Sequence, residues 1–209
     1  MRNRPSAPRR LVLLALVSLA LVSGCSSGHA SRRSGIVVSA GGRVGPLRVD
    51  QSDRSAVISL MGRPSAERRG RPPQSPPGPT YDALGYGCHK RYTADSYQLQ
   101  FPHPPYCRTI FWIDAASGGL ETFYTSERRF IEAHRVLVGM PTAIASRLLH
   151  SPVYSGCGEG VYLSSKRAML TIEFSGGVQR GPKLHIVGGR VAELVLHSRR
   201  RDAGVFDCL

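Results

Sequence analysis

Apolar positions along the chain follow two rhythms. From Ser52 the spacing is helical. Ser52 stands where a capping side chain belongs and Asp53 puts an acid in the first turn. Ala56, Val57, Leu60 and Met61 then recur at helical spacing until Gly62 and Pro64 stop the pattern. Eighty-eight residues later Ile144, Ala145, Leu148 and Leu149 repeat it, with Pro152 in the place of Pro64 and Pro141 suited to the opening turn. Each helix has a short apolar lead-in, Leu47-Arg48-Val49 and Val136-Leu137-Val138. The other rhythm belongs to strands. Residues 97–101 and 108–114 read as extended, and 115–119 (AASGG) turn the chain into a partner strand over 120–124. Ala168, Leu170, Ile172 and Phe174 alternate with Met169, Thr171 and Glu173, the period of a half-buried strand. Gly188-Gly189 between Ile186-Val187 and Arg190-Val191 predicts a two-residue hairpin, and the last strand continues through Leu194 and Leu196.

Tyr86-Gly87-Cys88 and Tyr154-Ser155-Gly156-Cys157 follow the two helices in the same way, so the pattern predicts an internal duplication. The expected fold class is α+β, two tandem lobes, each a short helix packed on a small antiparallel sheet. The first lobe spans 44–128 and the second 129–209. Residues 63–80, rich in Pro and Arg and nearly devoid of large apolar side chains, form an exposed loop of the first lobe. Residues 25–43 are a tether, small and polar at first. Ile36 to Val38 within it reads either as a first strand or as more of the tether.

The strongest apolar run lies at the start. Arg2, Arg4, Arg9 and Arg10 precede residues 11–22 (LVLLALVSLALV), and Ser23-Gly24-Cys25 follow. A basic head, a short apolar stretch and small residues make an export signal, and the stretch is too short to span a bilayer comfortably. Val22-Ser23-Gly24-Cys25 resembles the lipobox of bacterial lipoproteins. That resemblance implies that residues 1–24 are a signal peptide, cleaved before Cys25, whose thiol is then lipidated. The protein is therefore expected on the outer face of the cell membrane, held by its N-terminal lipid.

Charge and cysteine content bear on the partners. The 209 residues carry 28 basic and 14 acidic side chains, and only Lys90, Lys166 and Lys183 of the basic ones are lysine. Four arginines go with the signal, which leaves 24 basic against 14 acidic residues. Such a surface faces anionic lipid head groups and anionic wall polymers. An exported chain does not meet nucleic acid, the usual partner of a basic domain, so none is expected. With Cys25 taken by lipid, Cys88, Cys107, Cys157 and Cys208 remain, an even set that reads as two disulfides. Sequence alone leaves three pairings open; one bridge per lobe would join Cys88 to Cys107 and Cys157 to Cys208. No CxxC or His/Cys spacing suggests a metal or cofactor.

Residues 134–141 (HRVLVGMP) and the helix after them bring in a family. The run resembles the hydrophobic-x-hydrophobic-Gly-Met-Thr opening of the repeat family that includes SmpA/OmlA-type outer-membrane assembly lipoproteins and the β-lactamase inhibitory protein. In the latter, two tandem repeats of helices, a four-stranded sheet and a disulfide present a concave sheet to a partner protein. The first copy departs from the pattern, with Asp50-Gln51 where Gly-Met would stand, and Pro141 replaces the usual threonine or serine. The chain also resembles lipoproteins of high-GC Gram-positive bacteria.

The sequence has no HExxH, Walker loop or SxxK motif, and Ser164-Ser165-Lys166 has the wrong spacing for the last. No catalytic residue is therefore assigned. Cys88-His89 sets a thiol beside a base, but the duplication gives Cys88 to a disulfide. Aromatic residues crowd the first lobe, and Tyr92, Tyr106 and Trp112 are the candidates for a contact surface. Arg199, Arg200 and Arg201 are a candidate anion-contacting run. The expected function is a lipid-anchored extracytoplasmic binding or scaffold protein, whose partner is an envelope protein met through a sheet face. The alternatives are an envelope enzyme acting on cell-wall material and an electrostatic binder of anionic wall polymer.

Overall fold

A computed structural model describes residues 35–71, 79–89, 107–151, 154–155, 159–180 and 185–199. Two antiparallel strand runs and two helices account for most of them. β1 (Ile36–Ser39), β2 (Arg43–Val44) and β3 (Leu47–Arg48) form a small meander, and β8 (Phe130–Glu132) joins it parallel to β1, in the order β3-β2-β1-β8. The run at Ile36 to Val38 is thus a strand, and Val38 is fully buried.

The large sheet is built from β4 (Ala66–Gly70), β5 (Tyr81–Tyr86), β6 (Thr109–Asp114), β7 (Leu120–Thr125), β10 (Glu159–Ser164), β11 (Ala168–Arg180) and β12 (His185–Ser198). They lie in the order β10-β11-β12-β7-β6-β5-β4, every neighbour antiparallel, and the two-residue β9 (Tyr154–Ser155) bridges β10 and the start of β12. β7 pairs with β12 through Leu194 opposite Thr125 and Leu196 opposite Phe123. This pairing corrects the expected fold class. Strands from both sequence halves share the large sheet, so the chain is mostly β and not an α+β pair of helix-on-small-sheet lobes. The helical periodicities are local and hold. The choice of strand partner is not local, and it is made by burial across the whole chain.

Cross-strand register shows what holds the sheet. Leu84, Phe111, Phe123, Leu196 and Leu170 are successive partners from β5 to β11, and side chains opposite one another in register point to the same face. This row is essentially solvent-free and joins one apolar cluster with Val38, Val44 and Leu47 of the small sheet and with the helices. α1 (Arg54–Met61) contributes Val57 and α2 (Thr142–Leu149) contributes Ala145 and Leu149. Phe123 lies 5.0 Å, ring to ring, from both Phe111 and Phe130, and so ties the sheet to β8. The opposite face carries a smaller cluster of Tyr81, Ala83, Ile110, Trp112, Tyr124 and Val195, in which Cys107 is buried.

Both helices are eight residues long. The cap of α1 is Asp53 and not Ser52: the Asp53 carboxylate accepts from the Ala56 N–H at 2.8 Å, while Ser52 Oγ accepts from the Arg48 N–H at 2.9 Å. Gly62 ends α1 with φ +80, and its carbonyl accepts from the Tyr86 hydroxyl at 3.1 Å. Burial raises the Tyr86 phenol above its ordinary pKa, and the nearby Glu67 charge adds to this. α2 starts after Pro141 without a side-chain cap and stops at His150 in the left-handed conformation.

Gly188 and Gly189 do not form the expected hairpin turn. They lie inside β12, where Gly188 is opposite Gly177 of β11, and β11 and β12 continue past them to Arg180 and His185. Gly176, Gly188 and Gly189 all have positive φ. A Cβ on Gly189 would stand 2.5 Å from the Ser175 carbonyl oxygen and 2.7 Å from the Gly177 nitrogen. The two strands approach there more closely than any side chain permits, which is a second reason for glycine in a strand.

Cys88 and Cys107 form a disulfide across a sequence separation of 19 residues. Cys157 and Cys208 lie outside the described residues, as do Cys25 and the strand expected over 97–101.

Candidate functional site

One cleft gathers charged side chains of both signs. It has a volume of about 330 Å³ and is lined by Val49, Asp50, Gln51, Lys166, Arg167 and Arg199. Three segments distant in sequence meet there: the exit from β3, the β10–β11 turn and the end of β12.

The turn is built by Ser165. Its backbone N–H donates to the Ala168 carbonyl at 2.8 Å, and its Oγ accepts from the N–H groups of Arg167 and Ala168 at 3.2 and 3.1 Å. This local bonding fixes a tight turn and leaves the Lys166 and Arg167 side chains exposed. Arg199 then binds the turn. Its N–H donates to the Arg167 carbonyl at 2.9 Å and its guanidinium to the Ser165 carbonyl at 3.3 Å. Among the described residues neither Lys166 nor Arg167 is in an ion pair.

The opposite wall is Asp50, whose φ of +62 is in the left-handed region that a non-glycine residue enters at some cost. The surroundings hold it there. Its N–H donates to the Leu120 carbonyl, and the Leu120 N–H donates to the Ser52 carbonyl, each at 2.7 Å. Gly119 packs so closely that a Cβ there would lie 3.2 Å from the Asp50 carbonyl carbon and oxygen. The carboxylate accepts from Ser198 Oγ at 2.6 Å, which ties the β3 exit to the end of β12. Gly139, in the corresponding lead-in to α2, also has positive φ, at +84. At the first lead-in an acid occupies a backbone conformation for which the second uses glycine.

A larger opening of about 480 Å³ lies beside α1, lined in part by Asp53, Arg54, Asp82 and Asp114. Its acids have structural work. Asp53 caps α1, Asp82 pairs with Arg69 at 3.4 Å, and Asp114 accepts from the N–H groups of Ala116 and Ser117 at 2.7 and 3.1 Å to close the β6–β7 turn. The smaller basic cleft is therefore the candidate site. Among the described residues no three His, Cys, Asp or Glu side chains converge on a metal position.

Of the residues singled out from the sequence, Arg199 lines the cleft. Trp112 does not lie on a contact surface: its side chain is fully buried in the smaller apolar cluster. The alternation rule sends half of the strand aromatics inward, and here it sends Trp112. All six residues of β6 and of β7 are buried, so these central strands offer no open sheet face to a partner. Tyr92, Tyr106, Arg200 and Arg201 lie outside the described residues. Asp50, Lys166 and Arg167 escaped sequence reasoning. Their signals were present in the acid at a glycine-like position and in the Ser-Lys-Arg turn between two strand patterns.

No protein-family model and no curated protein matches the chain. Among solved structures it is similar to the uncharacterized protein yfeY from Escherichia coli, at 16% identity and a TM-score of 0.43, over 78% of this chain and 99% of that one. A likeness of this strength bears on neither family nor function.

Proposed function

We propose that this chain is a lipid-anchored binding protein of the outer face of the cell membrane, and that it recognises its ligand at the basic cleft between Asp50 and the Lys166-Arg167 turn. The observation that carries the reading is the convergence of Lys166, Arg167 and Arg199 on one cleft opposite a conformationally costly Asp50. Cations brought together from separate segments, without an ion-pairing role for Lys166 or Arg167 among the described residues, suit recognition more than stability. The Val22-Ser23-Gly24-Cys25 sequence supports the anchor, and the Cys88–Cys107 disulfide suits an oxidising compartment. Tethering would raise the local concentration of the site at the membrane surface.

The test is a pull-down from envelope extract at low and high salt, paired with metabolic labelling by a palmitate analogue. The reading expects label on the wild-type chain and none on Cys25→Ser. It also expects retained envelope material that Lys166→Ala/Arg167→Ala releases. An unlabelled chain in the soluble fraction would refute the anchor, and retention identical in the double variant would refute the site.

A further inference from the structure

We infer that the basic cleft binds the phosphate of a polyol phosphate, with Asp50 acting as the group that selects a hydroxyl-bearing anion over a bare one. The inference rests on the binding-protein reading above and adds the chemistry of the ligand.

Charge comes first. Lys166 and Arg167 are exposed on the turn and in no ion pair among the described residues, and they bring positive charge to the cleft. Such charge suits phosphate in its ester forms. The guanidinium of Arg199 is oriented by the Ser165 carbonyl, and the backbone of the turn that carries Lys166 and Arg167 is fixed by Ser165, so the cationic wall is organised before a ligand arrives. Size comes second. The cleft is at the small end of the roughly 300–1,000 Å³ typical of small-molecule sites, room for a head group and not for a folded domain.

The acid is the informative residue. A carboxylate on the wall of an anion site repels a bare anion and so opposes a simple counter-ion site. It fits a ligand that also carries hydroxyl groups, which donate to the Asp50 carboxylate and to the carbonyl of the neighbouring Gln51 amide while phosphate meets the cations. Specificity then comes from a repulsive element as well as an attractive one. A glycerol phosphate unit has this chemistry, whether it is the head group of a membrane lipid or the repeat of a wall polymer.

The full chain, purified in neutral detergent, is titrated with glycerol 3-phosphate, methyl phosphate and glycerol by calorimetry. Glycerol 3-phosphate is expected to bind about tenfold more tightly than methyl phosphate, roughly the contribution of one hydrogen bond to a charged group. Lys166→Ala/Arg167→Ala is expected to weaken it about tenfold or more, with thermal unfolding unchanged because both side chains are exposed on a turn. Asp50→Asn keeps an acceptor for Ser198 and the tolerance of left-handed backbone. It should improve methyl phosphate more than glycerol 3-phosphate and so narrow the preference; a merely structural Asp50, whose lost charge would help both phosphates alike, would leave their ratio unchanged. Equal binding of the two phosphates in the wild-type chain, or binding indifferent to the double variant, overturns the inference.

Two further ligands separate the sources. Short-chain phosphatidylglycerol and soluble poly(glycerol phosphate) are compared, and the tighter one names the membrane or the wall; binding of neither counts against the inference. If polyol phosphates fail while a salt-resistant envelope protein is retained, the ligand chemistry falls and the binding-protein reading stands. If nothing is retained and Cys25 carries no lipid, the underlying reading falls.

Discussion

On one face of the large sheet Phe111, Phe123 and Leu196 stand in an unbroken apolar row; on the other, Trp112 and Tyr124 share the buried surface with Thr122, His197 and Glu193. The first face is held by packing of elements that span the chain, from Val38 to Leu196. The second has a small apolar cluster, a Thr122–His197 contact at 3.2 Å and a disulfide whose Cys107 lies in that cluster. The lesson is that a strand buried on both faces need not be apolar on both. Where apolar area is short, hydrogen bonds and a covalent bond take over part of the task.

The comparison can be broken first at its strongest point. Phe123→Ala removes the ring that joins Phe111 to Phe130 and should destabilise the fold by about 3–5 kcal/mol in urea unfolding. A loss below about 1 kcal/mol would show that the row is not the main support. Replacing Cys88 and Cys107 together by serine should cost about 2–4 kcal/mol, part of it through the unfolded chain. Reductant should destabilise the wild type by at least that amount and the double variant by correspondingly less.

Thr171 sharpens the contrast from the other side. Its Oγ1 is buried with no hydrogen-bond partner among the described residues, so Thr171→Val should leave stability unchanged or raise it by up to about 1 kcal/mol. A clear loss would reveal a partner for that hydroxyl. The smallest effect concerns acid. The Ala56 N–H, with help from the Ser55 hydroxyl, holds the Asp53 carboxyl below its ordinary pKa of 3.8. The unfolded chain therefore takes up this proton at higher pH than the folded one. The contribution of the cap is complete above the unfolded pKa and is lost as pH falls from about 4 through the lower folded value. Asp53→Asn should flatten the acid limb of stability against pH in that window and leave neutral pH nearly unaffected, since asparagine also caps.

How much of this was legible follows from distance along the chain. Gly62 and Pro141 delimit the helices and Asp114 to Gly119 close their hairpin locally, so these elements could be read directly, while the cap of α1 falls one residue after the expected Ser52, at Asp53. The β7–β12 pairing joins Phe123 to Leu196, and no local pattern distinguishes it from two separate sheets. Gly188-Gly189 misled because glycine serves both a turn and a close strand approach, and only the facing Gly176 and Gly177 decide between them. The cleft was hidden for the same reason as the sheet. Asp50 meets Ser198 across 148 positions, and a charge cluster assembled over that span has no linear motif.

The place of β12 has a consequence for biogenesis. It lies between β7 and β11, yet among the described residues it is the last strand in chain order. Until it arrives, β7 presents an unpaired edge, and the row through Phe111 and Phe123 stops at solvent. Completion of the sheet thus waits for residues 185–198. A chain cut short before His185 remains open, in a state that proteases can reach.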